Sequence, residues 1–95
     1  MGGVYGTPDI RITVTEIQGS GKAPCEYQPG DSWLVTDLRA PEGLCTWAIA
    51  SIAPYLATLR FGGSVPWEDD KDRIVACCSD AANPVAFELR RLPAS

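Results

Sequence analysis

Ninety-five residues make one domain and leave no room for a second. Apolar side chains account for 45% and charged ones for 21%, a globular balance that excludes a coiled coil or a disordered tail. Eight Lys and Arg against twelve Asp and Glu give a net charge of −4 with no basic run, so the counterion release on which nucleic-acid binding rests is missing and no nucleic-acid partner is expected.

Residues 1–8, with three glycines and a proline, read as a flexible lead-in to a single domain over 9–95. Neither a basic nor an apolar region of a secretory signal shows in Met1 to Tyr5, so the cytoplasm is the expected compartment. Thiols stay reduced there, and the four cysteines are read as free thiols or metal ligands rather than two disulfides. From Asp9, Ile10-Arg11-Ile12-Thr13-Val14-Thr15 alternates apolar and polar side chains, the period of a half-buried strand. Gly19 to Pro24 is a loop that delivers Cys25, and Pro29-Gly30-Asp31 is a turn with glycine at the position that needs positive φ. A second strand is predicted over Ser32 to Leu38.

Pro41-Glu42-Gly43 leads into a helix predicted from Leu44 to Arg60, with Leu44, Ala48, Ile52, Tyr55, Leu56 and Leu59 on one apolar arc. Pro54 is expected to kink it or to begin a second short helix. The apolar stretch from Leu44 to Leu59 is interrupted by Thr46, Ser51, Pro54 and Thr58 and falls short of the roughly 20 apolar residues a bilayer requires. No membrane span is expected. Gly62-Gly63 ends the helix, and Glu68, Asp69, Asp70 and Asp72 read as a solvated acidic loop without the spacing of a calcium site. Strands over Arg73 to Cys78 and Val85 to Leu92 complete a β-β-α-β-β order. It predicts an α+β fold, a small mostly antiparallel sheet covered by one Pro-kinked helical layer. The uncovered sheet face makes a homodimer an expectation as well.

With no histidine in the chain, Ser-His-Asp and Cys-His catalysis and His-ligated zinc or haem are excluded. Cysteines are then the plausible chemical centre, although none forms a Cys-x-x-Cys pair. Cys25 sits in a loop, Cys45 at the helix start and Cys78 at a strand end, the junctions where sites are usually assembled. Free N–H groups and the positive helix end favour the thiolate of Cys45, although its place on the apolar arc also suits a small buried hydrophobe. Cys77 and Cys78 point to opposite faces of their strand. Asp31 and Asp80 are the nearest carboxylates, suited to act as a hard ligand or proton acceptor, and equally as turn formers. Trp47 and Trp67 are candidates to line an apolar pocket, against the alternative of core-edge packing.

The strings Cys25-x-Tyr27-x-x-Gly30-Asp31, Pro41-x-Gly43-x-Cys45-x-Trp47-Ala48, Leu59-x-Phe61-Gly62-Gly63-x-x-Pro66-Trp67, Cys78-x-Asp80 and Pro84-Val85-x-Phe87-x-Leu89-x-Arg91 resemble, in this order, an uncharacterised family of small bacterial and fungal proteins. The likeness spans residues 9 to 92. It implies that Cys25, Cys45 and Cys78 belong to the family pattern and that Cys77 is additional, and it carries no activity with it. Thr46 stands where family members often have proline, a departure that removes no candidate ligand.

The expected function is that of a thiol-site protein in which Cys25, Cys45 and Cys78 converge at one end of the sheet, to bind a metal ion or to act in redox chemistry. Three thiolates with Asp80 or water suit zinc or iron, and three thiolates alone suit copper(I). Two alternatives stand beside it. One is a metal-free enzyme acting on an apolar small molecule, with Cys45 as acid, base or nucleophile and Trp47 and Trp67 shaping the pocket. The other is a non-catalytic partner-binding module whose cysteines only pack.

Overall fold

A computed structural model describes residues 7–19, 26–36 and 39–93. The chain forms β1 (Ile10–Ile17), β2 (Ser32–Val35), α1 (Thr46–Arg60), β3 (Arg73–Cys77) and β4 (Val85–Arg91). The strands make one sheet in the order β2-β1-β4-β3 with every neighbour antiparallel, and α1 links one edge strand to the other by crossing a single face. The fold is α+β, one helical layer over a four-stranded antiparallel sheet.

Alternation decides which face the helix covers. Ile10, Ile12 and Val14 of β1, Val85, Phe87 and Leu89 of β4, and Ile74 and Ala76 of β3 all turn inward and are buried. They meet Ala48, Ile52, Leu56 and Leu59 of α1 in one core. Strand β1 runs two residues past the alternating stretch because the register with β4 shifts between Val14 and Glu16. The extra residue, Thr15, turns its Oγ1 to the Ala86 carbonyl at 3.2 Å. A bulge of this kind resets the phase of a strand, which lets Ile17 rejoin the core side after Val14. The Pro29-Gly30 turn adopts its expected geometry, with Gly30 at φ +96° and the Gly30 N–H on the Val14 carbonyl at 2.8 Å. The second strand ends at Val35. Residues 37 and 38, part of its predicted range, lie outside the described residues.

Helix α1 begins two residues later than predicted and is not divided at Pro54. Proline has no N–H for the Ala50 carbonyl, but Ala50 and Pro54 both lie on the exposed side, where water can serve that carbonyl. The helix stops at Arg60 and is clamped from β4. Arg91 Nη1 donates to the carbonyls of Leu59 (3.0 Å) and Gly63 (2.9 Å), its Nη2 donates to Lys71 (2.6 Å), and its Nε pairs with Asp72 (2.9 Å). A cation on the last carbonyls is favourable to the helix dipole.

The acidic run is exposed at Asp69, Asp70 and Asp72, as expected of a solvated loop, but it is also tied to the sheet. Arg11, Arg90 and Arg73 stand side by side across β1, β4 and β3 on the outer sheet face, and like charges in register repel. The acidic residues dock against this row. Glu68 Oε1 pairs with Arg73 at 3.2 Å, its Oε2 accepts the Val75 N–H at 2.9 Å, and Asp70 pairs with Arg90 at 3.0 Å. Glu88, on the sheet itself, reaches Arg73 at 2.9 Å and Arg90 at 3.6 Å. The uncovered face is therefore charged rather than apolar. No helix among the described residues is long and apolar enough to cross a membrane.

This network has a pH signature. The Asp72 N–H on its carboxylate, and then the Arg90 guanidinium, hold Asp70 below its ordinary 3.8. A depressed carboxylate contributes stability that is complete above the unfolded value and is lost as pH falls through the lower folded one. Thermal melts between about pH 5 and pH 2 should show the midpoint of the native chain falling more steeply than that of Asp70→Asn. Parallel profiles would remove Asp70 from the account of acid stability.

Candidate thiol site

Cys45 is the N-cap of α1 rather than part of its first turn. Its backbone is extended (φ −72°, ψ 161°), and its Sγ accepts the Ala48 N–H at 3.4 Å, a place usually taken by a hydroxyl or carboxylate oxygen. The Cys45 N–H in turn donates to the phenol oxygen of Tyr27. Tyr27 is held by an edge-to-face cluster, its ring 5.2 Å from Trp33 and 6.0 Å from Phe87, with Trp33 and Phe87 6.5 Å apart. Two backbone positions shape this corner. Glu26 is left-handed at φ +61° immediately before Tyr27, and Gly43 at φ +92° passes the Trp33 indole so closely that a Cβ would lie 3.3 Å from Nε1.

Cys78 follows β3 and closes a loop onto the start of β4. Its N–H donates to the Val85 carbonyl at 2.9 Å, and its Sγ accepts the Val85 N–H at 3.2 Å. Asp80 organises that loop, Oδ1 accepting the N–H groups of Ala82 (2.9 Å) and Asn83 (3.1 Å). Asp31 does similar work in its own turn, accepting the Gln28 N–H at 2.9 Å. Both carboxylates thus serve as turn formers, with the other Asp80 oxygen outside these two bonds.

Helix direction brings the two cysteine-bearing junctions to one end. The C-terminus of α1 is tied to Arg91, and fifteen helical residues span about 22 Å, close to the length of β4. The N-cap accordingly lies towards the Val85 end, as the path from Phe87 through Tyr27 to Cys45 also shows. Cys45 and Cys78 are both half-buried and both pack against the core. Cys77 is exposed on the opposite face, as strand alternation requires. Cys25 lies outside the described residues. Among the described residues, no group of three His, Cys, Asp or Glu side chains is arranged to hold a metal ion.

Trp47 and Trp67 are 53% and 64% exposed. Trp67 meets Tyr55 edge-on at 6.5 Å, and Tyr55 itself packs against the edge of the core. Neither lines the groove between α1 and β2. The tyrosine that orients Cys45 was not tied to it by sequence. Its signal was only the Cys25-x-Tyr27 string, because the bond joins residues eighteen apart.

Fold and site together define a small α+β domain with two backbone-anchored sulfurs at one end of its core. No protein-family profile, no curated protein and no solved structure matches the chain.

Proposed function

We propose that this is a small cytoplasmic thiol-site protein, a member of the family it resembles, in which Cys45 and Cys78, joined by Cys25, bind a soft or borderline metal ion. One observation supports the reading above the others: both sulfurs accept backbone N–H bonds at the same end of the core. Hydrogen-bond donors aimed at a ligand atom orient it and stabilise charge on it, as they do around protein-bound metals. Zinc or iron would take the three sulfurs with water or the remaining Asp80 oxygen, and copper(I) the sulfurs alone. Reversible redox chemistry of the same thiols is the neighbouring activity, and its signature would be an oxidised pair in place of bound metal.

Elemental analysis of untagged full chain, purified without added metal, tests the proposal. About one equivalent of metal per chain is expected, lost in Cys45→Ser and in Cys78→Ser and retained in Cys77→Ala. Serine nearly conserves volume, so both variants should remain folded while losing only the soft, ionisable sulfur. Cys77→Ala should cost at most about 1 kcal/mol. Metal-free native protein whose Cys45 and Cys78 neither bind zinc nor oxidise reversibly would sink the reading. Loss of metal in Cys77→Ala with retention in Cys78→Ser would overturn the site assignment.

A further inference from the structure

Helix α1 packs on β3, β4 and part of β1 but not on β2, because a single helix cannot cover four strands. The uncovered strip is a groove of about 240 Å³. On one side stand Val35 of β2 with Arg39 and Ala40 beyond it; on the other is the helix flank carrying Ala53, Leu56, Ala57 and Arg60. Almost all of this wall is apolar. Arg60 is the exception, and it is only 4% exposed. Its Nη2 donates to Thr7 Oγ1, whereas Nε and Nη1 are shut from solvent without a hydrogen-bond partner. Among the described residues no carboxylate forms an ion pair with it.

A guanidinium carries a permanent charge, and burying one without its hydrogen bonds is costly. The Arg60 charge is left without a counter-anion among the described residues, and a positive field of this kind favours an anion at the adjoining surface. We propose that the groove is a binding site for a small amphipathic carboxylate, the head held at the surface by exposed Arg39 and drawn there by the uncompensated charge of Arg60 buried in the wall, the apolar body laid along Leu56, Ala53 and Val35. The volume lies somewhat below the ~300 Å³ at which drug-sized pockets begin, which suits a chain of about ten non-hydrogen atoms. Phe61, 62% exposed at the border of the groove, extends the apolar wall. The groove runs along the flank of α1 from Ile49 to Phe61, with Arg60 at its C-terminal end, and the proposal does not use the cysteines.

Calorimetric titration of the full chain with octanoate, with 1-octanol as the uncharged equivalent, tests the assignment. Octanoate is expected to bind with a Kd on the order of 100 µM, at least about tenfold tighter than octanol. Ala57→Leu places a larger side chain in the groove from an exposed helix position and should weaken octanoate at least about tenfold with the melting temperature unchanged. In Arg39→Gln, whose side chain is exposed, the preference for octanoate over octanol should vanish, and in Arg60→Gln it should shrink. Octanoate that gives no heat at millimolar concentration, binds no better than octanol, or is indifferent to Ala57→Leu overturns the proposal.

Discussion

Replacing Phe87 with alanine should lower the stability of the domain by about 3–5 kcal/mol, a large fraction of what a chain of this size possesses. The ring is 0% exposed in the central strand β4, and it touches both Tyr27 and Trp33 edge-on. Removing it forfeits the burial of an aromatic side chain and leaves a cavity between sheet and helix that neighbours fill only in part. The effect spreads further, because Tyr27 carries the hydrogen bond that fixes Cys45 at the helix start. Urea unfolding followed by tryptophan fluorescence measures the change directly. Phe87→Leu should recover more than half of it, and a loss under about 1.5 kcal/mol for alanine would show that the aromatic cluster is not the centre of the core.

Gly19→Ala is the second large effect and has a different cause. Gly19 adopts φ +70°, and a Cβ built there would lie 2.0 Å from the Ala82 carbonyl oxygen and 2.8 Å from Asn83 Oδ1. Backbone stands against backbone, so relief requires the end of β1 or the loop after Cys78 to move. The loop is also pinned by the Gln18 N–H on the Pro84 carbonyl at 2.9 Å. A destabilisation of about 2–3 kcal/mol is expected, combining the left-handed penalty with the clash. Gly30→Ala isolates the first of these contributions, since Gly30 has φ +96° with nothing within 4 Å of its would-be Cβ, and it should cost only about 1 kcal/mol. Equal melting temperatures for the two variants would mean that the loop yields freely to β1.

What the amino-acid order determined by itself was local. Alternation in Val85-Ala86-Phe87-Glu88-Leu89 and in Arg73 to Cys78 marks strands and the face each residue takes, because side-chain direction in a strand follows from backbone geometry alone. The apolar spacing of Ala48, Ile52, Leu56 and Leu59 marks the helix face for the same reason. Separation of Cys77 from Cys78 was legible on this basis, and so was the glycine of the Pro29-Gly30 turn.

Tertiary structure decided everything that joins distant segments. The β2-β1-β4-β3 order is not written in any local pattern, nor is the docking of Glu68 and Asp70 onto arginines that become neighbours only when β1, β4 and β3 align. Arg60 illustrates the limit most clearly. The spacing Ile52, Leu56, Arg60 places it on the buried flank, but only the helix position over the sheet shows that two of its nitrogens face no partner. Pro54 starts no second helix for the converse reason: its cost to a helix depends on whether the orphaned carbonyl meets protein or water, and exposure is a property of the packed fold.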